Sequence, residues 1–125
     1  MSFIDIDNFY ASVNNDPEFL IAARFWDILL TIDMGENNII LKIQDGKIAE
    51  VNRRPARDDP WALKISAPAQ DWEKFLKPVP EPFYHDIFAA SIHHGFVCEG
   101  DLESMYAYYP AIRRMFEIMR TSVSV

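Results

Sequence analysis

Two histidines in the second half of the chain are the residues best suited to proton transfer. His85 is followed directly by Asp86, and His93 lies eight residues after His85. A helix over this segment would place the two histidines near one face, because residues eight positions apart are separated by little more than two turns. A histidine with a carboxylate partner can act as general acid or base, which would suit a lyase, isomerase or hydratase acting on an apolar substrate. The alternative, which we favour, is that both histidines lie on the surface near the end of a helix.

Three arginines form a second group with a chemical use. Arg53, Arg54 and Arg57 could clamp a carboxylate or a phosphate at the mouth of a pocket, because guanidinium groups bind such anions with paired hydrogen bonds. Asp58 and Asp59 follow immediately. We therefore favour a surface loop that neutralises its own charge, and keep anion binding as the alternative.

The remaining candidates for metal or cofactor chemistry are weak. His93 and His94 precede Cys98 and Glu99, but this spacing is not that of a zinc site. The sequence has neither a glycine-rich phosphate loop nor the Gly-x-Ser-x-Gly pattern of a serine nucleophile. We predict no metal and no cofactor.

An apolar stripe in the last quarter of the chain suggests a ligand-binding wall. Its residues recur every three or four positions, which places them on one helical face, and two of them are methionines that repack easily around irregular apolar shapes. Together with apolar residues of the preceding helix, they predict a cavity for a greasy ligand. The alternative is that the stripe is ordinary core. The predicted lining comprises Phe83, Phe88, Ile92, Met105, Tyr109, Ile112, Phe116 and Met119.

Composition limits the class of protein. The 125 residues are 50% hydrophobic, which suits one globular domain, 1–125, with an extra N-terminal segment 1–15 and a core 16–121. A net charge of −7 argues against nucleic-acid partners and against docking on anionic membranes. No apolar run is long enough to span a membrane. The single cysteine favours a reducing compartment, so we expect a cytoplasmic protein.

Residues 26–66 have the alternation of a sheet with one solvated face. Apolar residues occupy every second position of three segments, 26–33, 39–44 and 61–66. Asp45-Gly46 is typical of a tight hairpin turn and leads into a more polar strand over 48–53. We predict an antiparallel sheet with an open polar face. That face would carry Asp27, Lys42, Gln44 and Lys64.

Helices are predicted on both sides of this strand block. Asp16-Pro17-Glu18 has the cap, the proline and the first-turn acid of a helix start. The segment 1–15 is too apolar for a disordered tail, so we expect a short extra helix that could form a homodimer contact. Residues 83–94 predict a helix that ends at Gly95, and Pro110 should divide the tail into two helices.

The order of these elements resembles that of the sterol carrier protein 2 family. The resemblance rests on the hairpin around Asp45-Gly46-Lys47, the stretch Ala67-Pro68-Ala69-Gln70-Asp71-Trp72, and Gly95-Phe96-Val97-Cys98-Glu99-Gly100-Asp101-Leu102, and it covers about 16–119. It implies a two-layer α+β domain (SCP2-like) in which helices cover one face of a single five-stranded, mainly antiparallel sheet. It also implies an apolar cavity that binds acyl chains, sterols or similar lipids, and no shared catalytic residues. The bulky stretch 78–86 suggests a ligand smaller than a sterol.

Three functions therefore compete at the level of sequence. The one we favour is non-catalytic binding of a hydrophobic small molecule, lipid or acyl ligand. The second is an enzyme that uses His85, Asp86 and His93. The third is a partner subunit whose apolar stripe meets another protein.

Overall fold

The computed structural model describes residues 4–35 and 37–123, and within them the chain forms one five-stranded sheet and six helices. None of these helices is both long and apolar enough to cross a membrane. In chain order the elements are α1 (Ile6–Asn14), α2 (Pro17–Ala22), β1 (Ile28–Asp33), β2 (Asn38–Gln44), β3 (Lys47–Asn52), β4 (Leu63–Ser66), α3 (Ala69–Phe75), α4 (Ile87–His93), β5 (Val97–Gly100), α5 (Leu102–Ala107) and α6 (Tyr109–Arg120).

The sheet is mixed, with strand order β3-β2-β1-β4-β5. The predicted antiparallel pairing of β1 with β2 is confirmed, and β2 with β3 and β4 with β5 are also antiparallel. The prediction of antiparallel pairing throughout the strand block is wrong for β4, which runs parallel to β1. Residues 53–62 lead the chain from β3, at the edge of the sheet, across β2 and β1 to the start of β4. Because of this crossing, β4 runs in the same direction as β1. We call residues 53–62 the crossover loop.

One face of the sheet, the inner face, provides most of the core. Its aliphatic side chains are at most 2% exposed and lie beneath the helices, as expected for strands with period-two alternation. Burying each such side chain contributes roughly 1.5–3 kcal/mol, which makes this layer the main source of stability. The predicted two-layer α+β arrangement is confirmed. The inner-face residues are Leu30, Ile32, Leu41, Ile43, Ile48, Leu63 and Ile65.

The extra N-terminal helix forms as predicted, but its apolar face is used within the same chain. Phe9 and Val13 of α1 are fully buried. The Asn14 side chain forms two hydrogen bonds with the Ile48 backbone, accepting from its N–H at 2.9 Å and donating to its C=O at 2.8 Å. These bonds satisfy backbone groups at the edge strand β3, which would otherwise be free to pair with another chain. Phe9 and Val13, which belong to the segment that suggested a homodimer contact, are therefore buried within this chain.

An ion pair connects the start of α2 with the middle of α6. Arg114 donates from Nε and Nη2 to the two carboxylate oxygens of Asp16, at 2.9 and 2.8 Å. Asp16 also caps α2 by accepting from the Phe19 N–H at 2.8 Å, so the helix start predicted there is confirmed. The hydrogen bonds from Arg114 hold the pKa of Asp16 below its usual value. The Asp16 carboxylate thus caps α2 and also holds α6, the helix that carries most of the predicted wall.

The second half of the chain follows the predicted pattern with two corrections. Pro110 does lie in the first turn of α6, so the division of the tail into two helices is confirmed. The helix predicted over 83–94 is wrong at its start, because Phe83 has a positive φ of 66° and α4 begins only at Ile87. The end of α4 lies one residue earlier than predicted: the helix ends at His93, His94 is its extended C-cap, and Gly95 directly follows.

The Asp16–Arg114 pair should make stability depend on pH in the acid range. Asp16→Asn keeps an oxygen for the Phe19 cap but removes the charge, so we expect a loss of about 1–2 kcal/mol in unfolding free energy at pH 7. A carboxylate with a lowered folded pKa stabilises the fold above its unfolded pKa of 3.8 and ceases to do so as the pH falls through the folded value. The difference between the variant and the wild type should therefore shrink below about pH 4.

Urea unfolding followed between pH 7 and pH 3 measures this difference. Glu18→Gln is the matched control, because Glu18 lies 3.7 Å from the same arginine but its side chain is 69% exposed, and it should change stability little. A difference between Asp16→Asn and wild type that stays constant over the whole range would contradict the assignment.

Candidate functional site

The eight side chains of the predicted apolar wall divide into three groups by depth. Four of them form part of the core, with exposures of 2% or less. Phe88 and Tyr109 are half-buried. Phe83 and Ile92 are 45% and 77% exposed, so they lie on the outer surface of the α4 region. The four core members are Met105, Ile112, Phe116 and Met119.

The deep part of the wall is built around an aromatic cluster. Phe116 of α6 has its ring centroid 5.7 Å from that of Trp72 and 5.4 Å from that of Phe75. Phe96 lies against the same two rings, at 4.8 and 5.1 Å. The contacts are tilted or edge-to-face, which aromatic rings prefer over face-to-face stacking. The predicted wall omits Met115, another fully buried α6 residue of this layer. Met115 directly precedes Phe116, so it does not fit the spacing of three or four residues that defined the stripe.

The wall reaches the surface at a stack of aromatic rings between α4 and the two tail helices. The Phe88 ring lies 5.4 Å from Tyr106 and 4.6 Å from Tyr109. Burial raises the pKa of Tyr109, and the negative charge of Asp86 raises it further. We call Phe88, Tyr106 and Tyr109 the rim.

The acid–base candidates lie beside this rim, and the structure brings two of the three together. His85 Nε2 is 3.6 Å from an oxygen of Asp86. The other oxygen of Asp86 accepts hydrogen bonds from the Phe88 and Ala89 N–H groups and so caps α4. Because α4 begins after His85, the argument that His85 and His93 share a helical face is wrong. His93 instead stacks on the exposed Phe83 ring, at 3.9 Å.

The groups with raised pKa values near the site are protonated at neutral pH. Burial raises the pKa of the Cys98 thiol to about 11, so it lacks the thiolate character of a nucleophile. Burial also raises the pKa of Tyr84 to about 12, assisted by the hydrogen bond that its hydroxyl donates to Asp71 at 2.7 Å. Within the described residues, no group of three or more His, Cys, Asp or Glu side chains could hold a metal ion.

A cavity also lies on the face of the sheet that bears no helices, which we call the outer face. It measures about 320 Å³, lies between the strands and the crossover loop, and is partly open to solvent; we call it the outer cavity. A smaller one of about 180 Å³ adjoins it and shares Ile40 and Asp59. The prediction of an open polar face is confirmed at Asp27, Lys42 and Gln44, which are exposed. It is wrong at the centre of this face, where Thr31 and Ile40 are buried. The outer cavity is lined by Thr31, Ile40, Arg57, Asp59, Trp61 and Lys64, among others.

Thr31 is the unusual residue of the outer cavity. It is 5% exposed, and its Oγ1 has no hydrogen-bond partner within residues 4–35 and 37–123. Leaving a buried hydroxyl unpaired costs about 1–3 kcal/mol, whereas a valine would fill the same space without that cost. Its place on the polar side of the strand pattern was visible in the sequence. Its burial was not, because it results from the crossover loop.

A third cavity, of about 440 Å³, lies beside the C-terminal end of α6 and is lined by Pro78, Glu117, Arg120 and Thr121. Its main polar group is already engaged. Arg120 donates to the carbonyls of Phe75, Tyr84 and His85 at 2.9 to 3.2 Å. Arg120 thus fastens the segment before α4 to the tail helix, which is a structural use of the guanidinium group. None of these three cavities is lined by the eight predicted wall residues.

Comparison with known proteins identifies the fold. No protein-family model matches the sequence, and no curated protein matches it significantly. Among solved structures, a crystal structure of sterol carrier protein 2 superposes with a TM-score of 0.73 at 16% identity, covering 94% of each chain. A conserved hypothetical protein from Thermus thermophilus, described as possibly a sterol carrier protein, gives 0.70 at 15%, covering 100% of this chain and 92% of that one. A ubiquinone synthesis protein, UbiJ-SCP2, gives 0.57 at 12%, covering 89% and 88%. The predicted SCP2-like fold is confirmed.

Removal of the Thr31 hydroxyl should not destabilise the protein. We expect Thr31→Val to raise the unfolding free energy by about 1 kcal/mol, because it replaces an unpaired buried hydroxyl with a methyl group. Thr121→Val is the matched control, since the Thr121 hydroxyl donates to the Ile118 carbonyl at 2.7 Å. Its loss should cost about 0.5–1 kcal/mol. Urea unfolding of both variants measures these changes, and a clear loss of stability in Thr31→Val would show that the hydroxyl has a structural partner.

Proposed function

We propose that this protein binds a hydrophobic small molecule, a lipid or an acyl ligand between the inner face of the sheet and the C-terminal helices α5 and α6. The observation that carries the proposal is the superposition on sterol carrier protein 2 over 94% of both chains. That protein's name describes a carrier of an apolar molecule. The proposal extends that role to the corresponding layer of this chain.

The chemistry of the wall supports the proposal. Met105, Met115 and Met119 are fully or almost fully buried in α5 and α6, facing the core. Methionine side chains are unbranched and polarizable, so they can repack around an inserted apolar body at lower cost than branched side chains. A wall of this kind suits a ligand without a fixed polar pattern.

The rim supports a route to this wall. Phe88 is half-buried and stacks on two tyrosines, of which Tyr106 is 66% exposed. The helix that carries Phe88 has only seven residues and is capped by Asp86. Outward displacement of one aromatic ring and one short helix is a smaller change than separation of the sheet from α6. We infer that the ligand passes the Phe88 ring.

Charge and polarity favour binding over catalysis at this wall. The members of the wall carry no ionisable group apart from Tyr109, whose pKa is raised further above neutrality. His85, with its side chain 62% exposed, lies outside α4. A cytoplasmic location and a homodimer through the N-terminal segment remain predictions from the sequence.

Phe88→Ala tests the route and the wall together. We expect it to weaken binding of N-phenyl-1-naphthylamine, an uncharged apolar dye, by about tenfold, because a half-buried aromatic contact is worth about 1–1.5 kcal/mol. The dye's fluorescence rises when it leaves water, so a direct titration measures its affinity. Phe25→Ala is the matched control, because Phe25 is 77% exposed on the connection between α2 and β1, and it should bind the dye within about twofold of wild type.

Equal effects of the two phenylalanine changes would show that the dye adheres to exposed rings rather than to the wall. Absence of saturable dye binding by the wild type would overturn the proposed function.

Histidine changes separate binding from catalysis. If the protein only binds, His85→Ala and His93→Ala should leave dye affinity within about threefold, since one net hydrogen bond is worth roughly 1 kcal/mol. Phe116→Ala should instead cost about 3–5 kcal/mol of unfolding free energy, because it empties the centre of the aromatic cluster. An apolar substrate whose turnover falls about a hundredfold with either histidine change would favour the enzyme.

A further inference from the structure

The crossover loop forms a fixed cover over the outer cavity. Asp59 accepts hydrogen bonds from the Ala56 N–H at 2.6 Å and from the Asn52 side chain at 3.2 Å. Pro55 and Pro60, which flank this turn, have restricted backbone torsions. This turn is thus held by one hydrogen bond within the loop and one from the end of β3.

The floor of the outer cavity includes a residue whose hydroxyl group is buried and has no hydrogen-bond partner among the described residues. Thr31 occupies the middle of the central strand β1, paired in register with Ile40 on one side and Lys64 on the other. Its Oγ1 is buried and unpaired within the described part of the chain. A site that retains a buried hydroxyl where a valine would fit is suited to a ligand that accepts a hydrogen bond.

The charged side chains of the cavity indicate which kind of acceptor fits. Arg57 forms no ion pair or hydrogen bond with another described residue. Lys64 Nζ is 3.9 Å from Asp33 and 5.7 Å from the centre of the Trp61 ring. Among the described residues of the lining, Asp59 is the one acid, and its Oδ2 accepts two hydrogen bonds. The described lining thus has two cations and one carboxylate, and Arg57 has no partner among the described residues, which matches a carboxylate or a phosphate group.

We propose that the outer cavity binds a small organic anion, with its carboxylate or phosphate between Arg57 and Lys64 and an oxygen on the Thr31 hydroxyl. Trp61, which is 40% exposed, supplies an apolar surface for the rest of the molecule. A cavity of about 320 Å³ is at the small end of ligand sites, so a compact molecule fits better than a long chain. This site lies on the opposite face of the sheet from the apolar wall and does not depend on the function proposed there.

Nuclear magnetic resonance titration of the ¹⁵N-labelled protein tests this proposal. The probes are benzoate and inorganic phosphate, with benzamide as the neutral analogue of benzoate. We expect benzoate or phosphate to shift the amides of residues 55–61 and the Trp61 indole N–H saturably, with a Kd of about 1 mM or tighter. Benzamide should bind at least about tenfold more weakly, because it lacks the charge.

Three variants identify the groups responsible. Arg57→Gln should weaken binding of the anion about tenfold, and Thr31→Val about fivefold while remaining folded. Arg54→Gln is the matched control: Arg54 is an exposed arginine of the same loop that does not line the outer cavity, so the affinity should stay within about twofold. Arg57→Gln should leave binding of the uncharged dye unchanged, which separates this site from the apolar wall.

Three results would overturn the proposal. The first is the absence of saturable shifts with both anions at about 20 mM, well above the expected Kd. The second is equal affinity for benzoate and benzamide. The third is an equal effect of Arg54→Gln and Arg57→Gln, which would indicate nonspecific attraction to a basic loop.

Discussion

The parallel pairing of β1 with β4 is the constraint on which the rest of the structure depends. It obliges the chain to leave β3 at one edge, cross two strands and re-form the sheet on the far side. The helices occupy the inner face, and the cavities beneath the crossover loop show that the crossing is made over the outer one. Parallel strands are usually joined through a helix, whereas here ten residues of loop suffice. The outer face is consequently half-covered, with space beneath the cover.

The same topology explains why α6 carries the apolar wall. Once β4 and β5 complete the sheet, the tail helices lie over the inner face and bury Ile112, Phe116 and Met119. The pair of hydrogen bonds between Arg114 and Asp16 then joins α6 to the N-terminal helices. Arg120 performs a related task at the C-terminal end of α6, through carbonyls of the segment before α4. Two arginines, one in the middle of α6 and one at its end, thus hold the helix that carries most of the wall.

The sequence predicted what depends on local patterns and missed what depends on topology. Strand alternation, the Asp16 cap and the break at Pro110 each follow from a few neighbouring residues, and all are present. The direction of β4 was not predictable in this way, because strand pairing joins distant parts of the chain. The arginine-rich loop and the polar side of β1 could each be recognised in the sequence. Their proximity could not, because only the crossover loop brings Arg57 to the same cavity as Thr31. Periodicity likewise grouped the buried stripe of α5 and α6 correctly, but it does not distinguish core from cavity lining.

The two proposed sites share β1 but face away from each other. Successive side chains on a strand point to opposite faces, so Thr31 faces the outer cavity while Leu30 and Ile32 lie in the core. Substitutions at well-separated positions without shared partners usually add in their effects on stability. Neither Arg57 nor Phe88 touches the other's partners among the described contacts. The sheet thus acts as a separator, and a change of binding on one face can be assigned to that face alone.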